Sequence, residues 1–343
     1  TLVNDNNQRK QAEAELATIE NDNKTNLLLQ VLMGQTDQFV LEIASVMLRQ
    51  MTDRISTTQP LSPATLLNLK STILQLCPQQ ENSKIRLKYA DIVSSLINLC
   101  HQNKKNPWSE VGSFFYDCII RSNSDSGKEI AFRLIESSPC ILERFKDDNV
   151  SEIVKVICDT MSSDQSINSA LIIQSLRAFS SLIVDIPQST AKKMISAPLS
   201  VILRVIGNSN NPILVEKFVK ELSFMIDCRG NIFRKYTIPC VETMLGILSS
   251  ESTLEEIRKE AMECLVVQSK ASKKYFRTTA KDWLPNIVEI FIRHITVMRD
   301  DPSWVLDSHD DSDDEEDDLT RAAETSLDRF TCEIGGKTMF PII

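Results

Sequence analysis

Apolar helical stripes recur along this chain in pairs, and the pairs recur at a nearly constant interval. Val40, Ile43, Ala44, Met47, Leu48 and Met51 share one helical face, and Leu66, Leu69, Ile73 and Leu76 share another after Ser62-Pro63. Serine there is a cap residue, and proline suits the first helical position, where its missing N–H has no intrahelical partner. Tyr89, Val93, Leu96, Ile97 and Cys100 are followed by Val111, Phe114, Phe115, Cys118 and Ile119; Ile130, Ala131, Leu134 and Ile135 are followed by Val150, Ile153, Val154 and Ile157. Three later pairs keep the interval: Leu171 to Ile183 with Ile195 to Ile206, Leu214 to Ile226 with Phe233 to Leu248, and Leu254 to Leu265 with Trp283 to Ile295. Ahead of them all, Ala12, Leu16 and Ile19 form one stripe and Leu27, Leu28, Val31 and Leu32 a second, separated by Asn21 to Asn23 and stopped by Gly34.

The first helices of these pairs begin near residues 8, 38, 82, 126, 165, 210 and 253. Most of these intervals are roughly 40 to 45 residues, the period of HEAT or armadillo units. One pair cannot bury its own stripe, so neighbours must stack. The predicted fold is all-α, an α-α superhelix (a HEAT-repeat solenoid) of about seven and a half repeats, with first helices on the outer wall and second helices on the inner one. Eight glycines in 343 residues are poor provision for hairpins and suit helix ends instead. Thr253 and Glu256 have capping-box spacing, and Pro198, Pro239 and Pro285 mark helix entries or kinks.

One block departs from the pattern. Eleven acids and no Lys or Arg lie between Asp300 and Asp318, and a helical stripe of Ala322, Ala323, Ser326, Leu327 and Phe330 follows. Such a block repels itself and stays solvated. The predicted organisation is therefore repeats 1 to 7 over residues 1–299, the first truncated, an acidic loop over 300–318, and the start of an eighth repeat over 319–343. The stripe at Met339 to Ile343 begins a second helix, so the array is expected to continue past Ile343.

The chain holds 38 basic and 47 acidic residues, and without the eleven acids of the block the count is 38 against 36. The acidity is local, which predicts a patch for a basic partner and no direct nucleic-acid binding, since that would need a basic face. No run approaches the roughly 20 apolar residues that span a bilayer, so no membrane partner is expected. Nine scattered cysteines without a CxxC pair fit a reducing compartment. His101, His294 and His309 lie far apart, with no repeated acidic spacing around them, so neither a catalytic nor a metal site is predicted and no cofactor is implied. Gly336-Lys337-Thr338 imitates the end of a phosphate-binding loop, but Thr331 stands where the first glycine should be and no strand precedes it; a turn between two helices accounts for it better.

Four stretches carry a family resemblance. They are Arg9-Lys10-Gln11-Ala12-Glu13 with Leu16; Ala44-Ser45-Val46-Met47-Leu48-Arg49; the acidic block with Asp301 and Trp304 before it and Ala323-Glu324 and Leu327-Asp328-Arg329 after it; and Gly335-Gly336-Lys337 with Pro341 and Ile342. Together they resemble the amino-terminal third of a karyopherin-β nuclear import receptor, most closely the importin-5 (karyopherin-β3) branch. Gln50 after Arg49 departs from the L-R-R that the family often shows.

The resemblance implies a transport receptor, not an enzyme, that shuttles between cytoplasm and nucleus. It would bind Ran-GTP, basic cargo proteins carrying nuclear localisation signals, and phenylalanine-glycine (FG) nucleoporins. It places Ran on the second helices of the first three repeats, where Lys24 and Gln30, Asn68 and Gln75, and Ser113 and Asp117 occupy the face away from the apolar stripe. Asp310, Asp311, Asp313, Asp314, Glu315, Glu316, Asp317 and Asp318 would hold basic cargo or the basic side of Ran. Leu171, Val215 and Phe218 are the candidates for an FG groove between first helices, although core packing competes for them. The alternative is a general HEAT scaffold such as a phosphatase scaffolding subunit, which shares the period but needs neither the acidic block nor the Gly-Gly-Lys connection.

Overall fold

A computed structural model describes residues 15, 18–55, 61–102, 108–122, 124–163, 168–296 and 318–343. Two compact units divide the chain, Thr1–Val156 and Ile157–Ile343. Among the described residues every regular element is helical.

In the first unit, α1 (Asn21–Gly34) is a second helix and α2 (Gln38–Ile55) the first helix of the next pair, completed by α3 (Pro63–Gln79). The next pair is α4 (Ser83–Gln102) with α5 (Glu110–Tyr116), which continues as a π turn over Asp117–Arg121. A further first helix, α6 (Asp125–Ser137), leads through a 3-10 turn at Pro139–Arg144 to α7 (Asp147–Met161), within which the division into units falls. First helices stack on first helices, α2 on α4 and α4 on α6.

The second unit repeats the scheme: α8 (Ser169–Asp185), α9 (Gln188–Met194) and α10 (Ser196–Asn208); α11 (Pro212–Phe233) and α12 (Thr237–Ser249); α13 (Glu255–Ala271), α14 (Lys273–Thr278) and α15 (Leu284–Thr296); then α16 (Asp318–Ile334) and α17 (Gly336–Met339). Here α8, α11, α13 and α16 form the continuous row of first helices, and each of α10, α12 and α15 packs on the first helix that follows it. The core runs along these contacts through Phe179, Phe218, Phe233, Phe276, Phe291 and Phe330, all fully buried.

Helix entries keep the repeat in register. Asp37, Asn82, Ser124, Asn168 and Asn211 each accept backbone N–H bonds at the start of a first helix, for example Asn168 Oδ1 from Leu171 at 3.2 Å and Asn211 Oδ1 from Ile213 at 3.1 Å. Ser62 caps α3 as its sequence predicts, accepting from Thr65 N at 3.3 Å. Pro198, Pro239 and Pro285 sit in the first turns of α10, α12 and α15, where no intrahelical N–H is lost.

Three local expectations are corrected. Thr253 and Glu256 form no capping box: α13 starts at Glu255, and Leu254, which has no polar atom to offer, occupies the cap. Asn21 to Asn23 do not separate two helices but form the first turn of α1. Phe233 belongs to the end of a first helix, α11, which continues past a non-helical residue at Arg229.

Candidate partner-binding surfaces

α1 packs on α3, and both expose one face. Asn68 Nδ2 donates to Asn26 Oδ1 at 3.2 Å across the pair, while Asn68 Oδ1 accepts from Thr72 Oγ1 at 3.3 Å. Gln30, Asn68 and Gln75 are exposed and Lys24 is half-buried. On α5 and its π continuation, Ser113 and Asp117 are exposed, and Asp117 is held by Arg121 at 2.7 Å. Arg121 in turn lies over the Tyr116 ring at 5.6 Å, and Tyr116 donates its hydroxyl proton to Glu152 at 2.8 Å. That bond to a carboxylate raises the Tyr116 phenol above its ordinary range.

Sequence reasoning missed the apolar part of this face. Leu27, placed in the core stripe of α1, is 49% exposed, with Met33 at 55% and, on α3, Leu67 at 68%; Leu29 takes the core position instead. The signal was present: Leu27-Leu28-Leu29-Gln30-Val31-Leu32-Met33 is too apolar for one stripe, so part of it must face outward.

Of the acidic block, Asp310, Asp311, Asp313, Asp314, Glu315, Glu316 and Asp317 lie outside the described residues, and Asp318 opens α16. Its two anchors are fixed in one stack, because α16 packs on both α13 and α15. Phe330 meets Phe276 edge-on at 5.7 Å between centroids and Phe291 at 6.0 Å. Arg329 grips Glu263 on α13, with Nη2 to Oε1 at 2.9 Å. Ala323, Ser326 and Phe330 of the predicted stripe are buried.

The Gly-Gly-Lys connection is a turn between helices. Gly335 has φ +92, a conformation costly for any residue with a Cβ, and its N–H bonds to Thr331 O at 2.8 Å to close α16. The Arg277 Nε donates to Ile334 O at 2.6 Å and satisfies a terminal carbonyl.

The outer-wall candidates are core residues. Phe218 is fully buried, and Leu171 and Val215 retain 7% exposure each, because α8 and α11 close over them. A groove of about 820 Å³ and mixed character opens nearby, at the turns from α10 to α11 and from α12 to α13, where Val215, Ile247, Leu254 and Ile257 line it together with Asn210, Glu242, Thr243 and Ser252. Val215 alone of the three reaches it.

Most of the remaining reactive side chains serve packing, while His101, Cys228 and Cys332 are exposed. His294 is buried, and its Nε2 lies 2.9 Å from the Leu248 carbonyl; burial pushes its pKa down. His101 is exposed and 3.4 Å from Glu143, and His309 lies outside the described residues. All nine cysteines are free thiols, and burial pushes Cys118 and Cys264 up to about 12. Among the described residues no group of three His, Cys, Asp or Glu side chains is placed to hold a metal ion. No described helix is long and apolar enough to cross a membrane.

Two family models match this chain: one described as IPO5-like, TPR repeats, over residues 81–241, and one described as importin repeat, over residues 250–341. Among solved structures, Kap121p superposes with a TM-score of 0.86 at 17% identity, covering 99% of this chain and 33% of Kap121p. Kap121p bound to RanGTP gives 0.82 at 17% identity, with 99% of this chain and 32% of that one covered, and Kap121p bound to Nup53p gives 0.84 at 18%, with 98% and 33% covered. The chain thus spans about a third of the length of these proteins. At this identity the likeness establishes the fold, an all-α HEAT-repeat solenoid. With the two family models, it leads to one conclusion: this chain belongs to the karyopherin-β family, in its importin-5-like branch.

Proposed function

We propose that this chain is part of a nuclear transport receptor that binds Ran-GTP, carries basic cargo through the nuclear pore and gives it up when Ran-GTP binds. The supporting observation is that Kap121p, seen in complex with RanGTP, shares the fold over 99% of this chain. Kap121p has also been seen bound to Pho4p and to Nup53p, which supports cargo and nucleoporin partners here.

On this reading Ran-GTP meets the exposed residues Gln30, Asn68 and Gln75 with Leu27, Met33 and Leu67 on α1 and α3, and Ser113 and Asp117 on α5 and its continuation. An apolar strip with a polar rim has the composition of a protein interface. The acidic block attracts a basic surface of cargo or of Ran. Exposed charges are screened within about 8 Å at physiological salt, so the block speeds encounter more than it fixes affinity. FG segments of nucleoporins meet the apolar side chains Val215, Ile247 and Leu254 within the mixed groove beside α11 and α13. Cargo and Ran must weaken each other by the same factor, since coupling between sites is reciprocal. The receptor moves between cytoplasm and nucleus.

The test is a titration of the chain with Ran loaded with GTP or with GDP. Preferential binding of the GTP form is expected. Equal or absent binding of the two overturns the proposal and favours a general HEAT scaffold.

A further inference from the structure

The second unit carries a continuous basic edge. Turns from first to second helix are bonded one to the next. Arg229 of α11 donates to the carbonyls of Val184 and Ile186 at the end of α8, the latter at 3.1 Å. Arg234 donates to Ala271 O at 3.3 Å, and Thr237 to Ser272 Oγ at 3.1 Å, which joins this turn to the end of α13. The bond from Arg277 to Ile334 O extends the row to α16. Residues 185–195, 227–237, 270–283 and 333–338 therefore lie along one edge, and they hold eleven Lys and Arg against four Asp and Glu in a chain of net charge −9.

These cations fall into three groups. Arg229, Arg234 and Arg277 satisfy carbonyls at helix carboxyl ends, where a positive charge also opposes the helix dipole. Lys270 pairs with Asp227 at 2.9 Å and Lys273 with Glu333. Lys192, Lys193, Lys235, Lys274, Lys281 and Lys337 are left over: each is exposed, and among the described residues none has an acidic partner. Lys235 instead lies 4.7 Å from the centroid of the Tyr236 ring. Nothing in the packing requires this row of ammonium groups, and they repel one another.

We propose that this edge docks an extended acidic segment of a partner protein. Packed helices lie about 8–10 Å apart, and an extended chain advances about 3.3 Å per residue, so each repeat along the edge spans about three residues of such a segment. A carboxylate at every third residue would meet a fresh group of lysines. Single-stranded nucleic acid fits less well, because it needs aromatic platforms for its bases. The first turn has no aromatic residue, Tyr236, Tyr275 and Trp283 of the second and third are all partly buried, and Lys235 already occupies the Tyr236 ring. This edge is distinct from the surfaces assigned to Ran and to basic cargo.

The test titrates a labelled poly-glutamate peptide of about a dozen residues, about 40 Å when extended, into the whole chain and follows fluorescence anisotropy at low and physiological salt. Binding that weakens with salt is expected. The variant K192E/K193E/K274E/K281E should bind roughly tenfold or more weakly, as four exposed ion pairs would dictate, and Lys→Gln at the same positions should weaken binding in the same direction with less risk to folding. The control K84E/K128E/K146E/K155E has the same net charge and should lose about twofold or less, with circular dichroism showing that each variant folds. Absence of binding to the wild-type chain, equal losses in edge and control variants, or tighter binding of an oligouridylate of matching charge would each overturn the proposal, the last assigning the edge to nucleic acid.

Discussion

Arg133 Nε donates to Asp91 Oδ1 at 2.6 Å, bridging 42 residues of sequence from α6 back to α4. On its other side Asp91 accepts from Arg49 Nη1 of α2 at 2.8 Å, again across 42 residues. One buried carboxylate thus serves three successive repeats, and its bond raises the Arg133 guanidinium above its ordinary range. Asp91→Ala would leave two guanidinium groups without their shared partner. Arg49 is nearly half exposed and can turn to solvent, which limits the cost. A loss of about 3 kcal/mol in urea unfolding is expected.

Gly230 of α11 lies where a Cβ would come within 2.5 Å of the Ala271 Cβ at the end of α13. Gly230→Ala should therefore force two stacked first helices apart and cost about 1–3 kcal/mol. Adding Ala271→Gly removes the clashing methyl but leaves the Ala271 Cα position at 3.2 Å, so the double variant should recover only part of the loss. Additive losses in thermal unfolding would show that the two sites do not meet.

Burial holds the His294 pKa below its ordinary 6.5, so the unfolded state binds the proton more readily. The neutral ring's contribution is complete above that unfolded value and declines as pH falls through it toward the lower folded pKa. Stability should drop on acidification below about pH 6.5, and His294→Gln should flatten that part of the profile in denaturant titrations at successive pH values.

The repeat was legible because each helix pair must bury its stripe on the next, which writes the period into residues such as Leu69, Ile73, Tyr89 and Val93. Cap residues Asp37, Asn82, Ser124, Asn168 and Asn211 carry the same interval, and Leu254 shows that a well-packed helix forms without one. Where apolar residues exceed what one stripe can bury, pattern alone fails: Leu27 reads as core and faces outward, while Leu29 beside it is buried. The basic edge escaped for a different reason. Its lysines come from segments roughly 40 to 60 residues apart that only stacking brings together, and the acidic block hides them in the net charge.

Leu27→Glu and Leu67→Glu alter side chains already largely in solvent, so each should change stability by less than about 0.5 kcal/mol. If Ran-GTP covers this face, each loses a buried leucine contact of about 1.5–3 kcal/mol, and affinity should fall roughly ten- to a hundredfold in calorimetric titration. Unchanged affinity in both variants would move the Ran site elsewhere.

Replacing Asp310, Asp311, Asp313, Asp314, Glu315, Glu316, Asp317 and Asp318 by Ser or Asn removes eight negative charges from a segment anchored at both ends in the second unit. Long-range attraction acts mainly before contact, so the association rate with Ran-GTP or a basic cargo peptide should fall most, with a smaller change in dissociation. The difference from the wild-type chain should be largest at low salt and shrink as the screening length drops toward about 8 Å. Stopped-flow binding at two ionic strengths measures both. Identical association rates at low salt would show that the block attracts neither partner, and the proposed competition would then rest on the second-helix face alone.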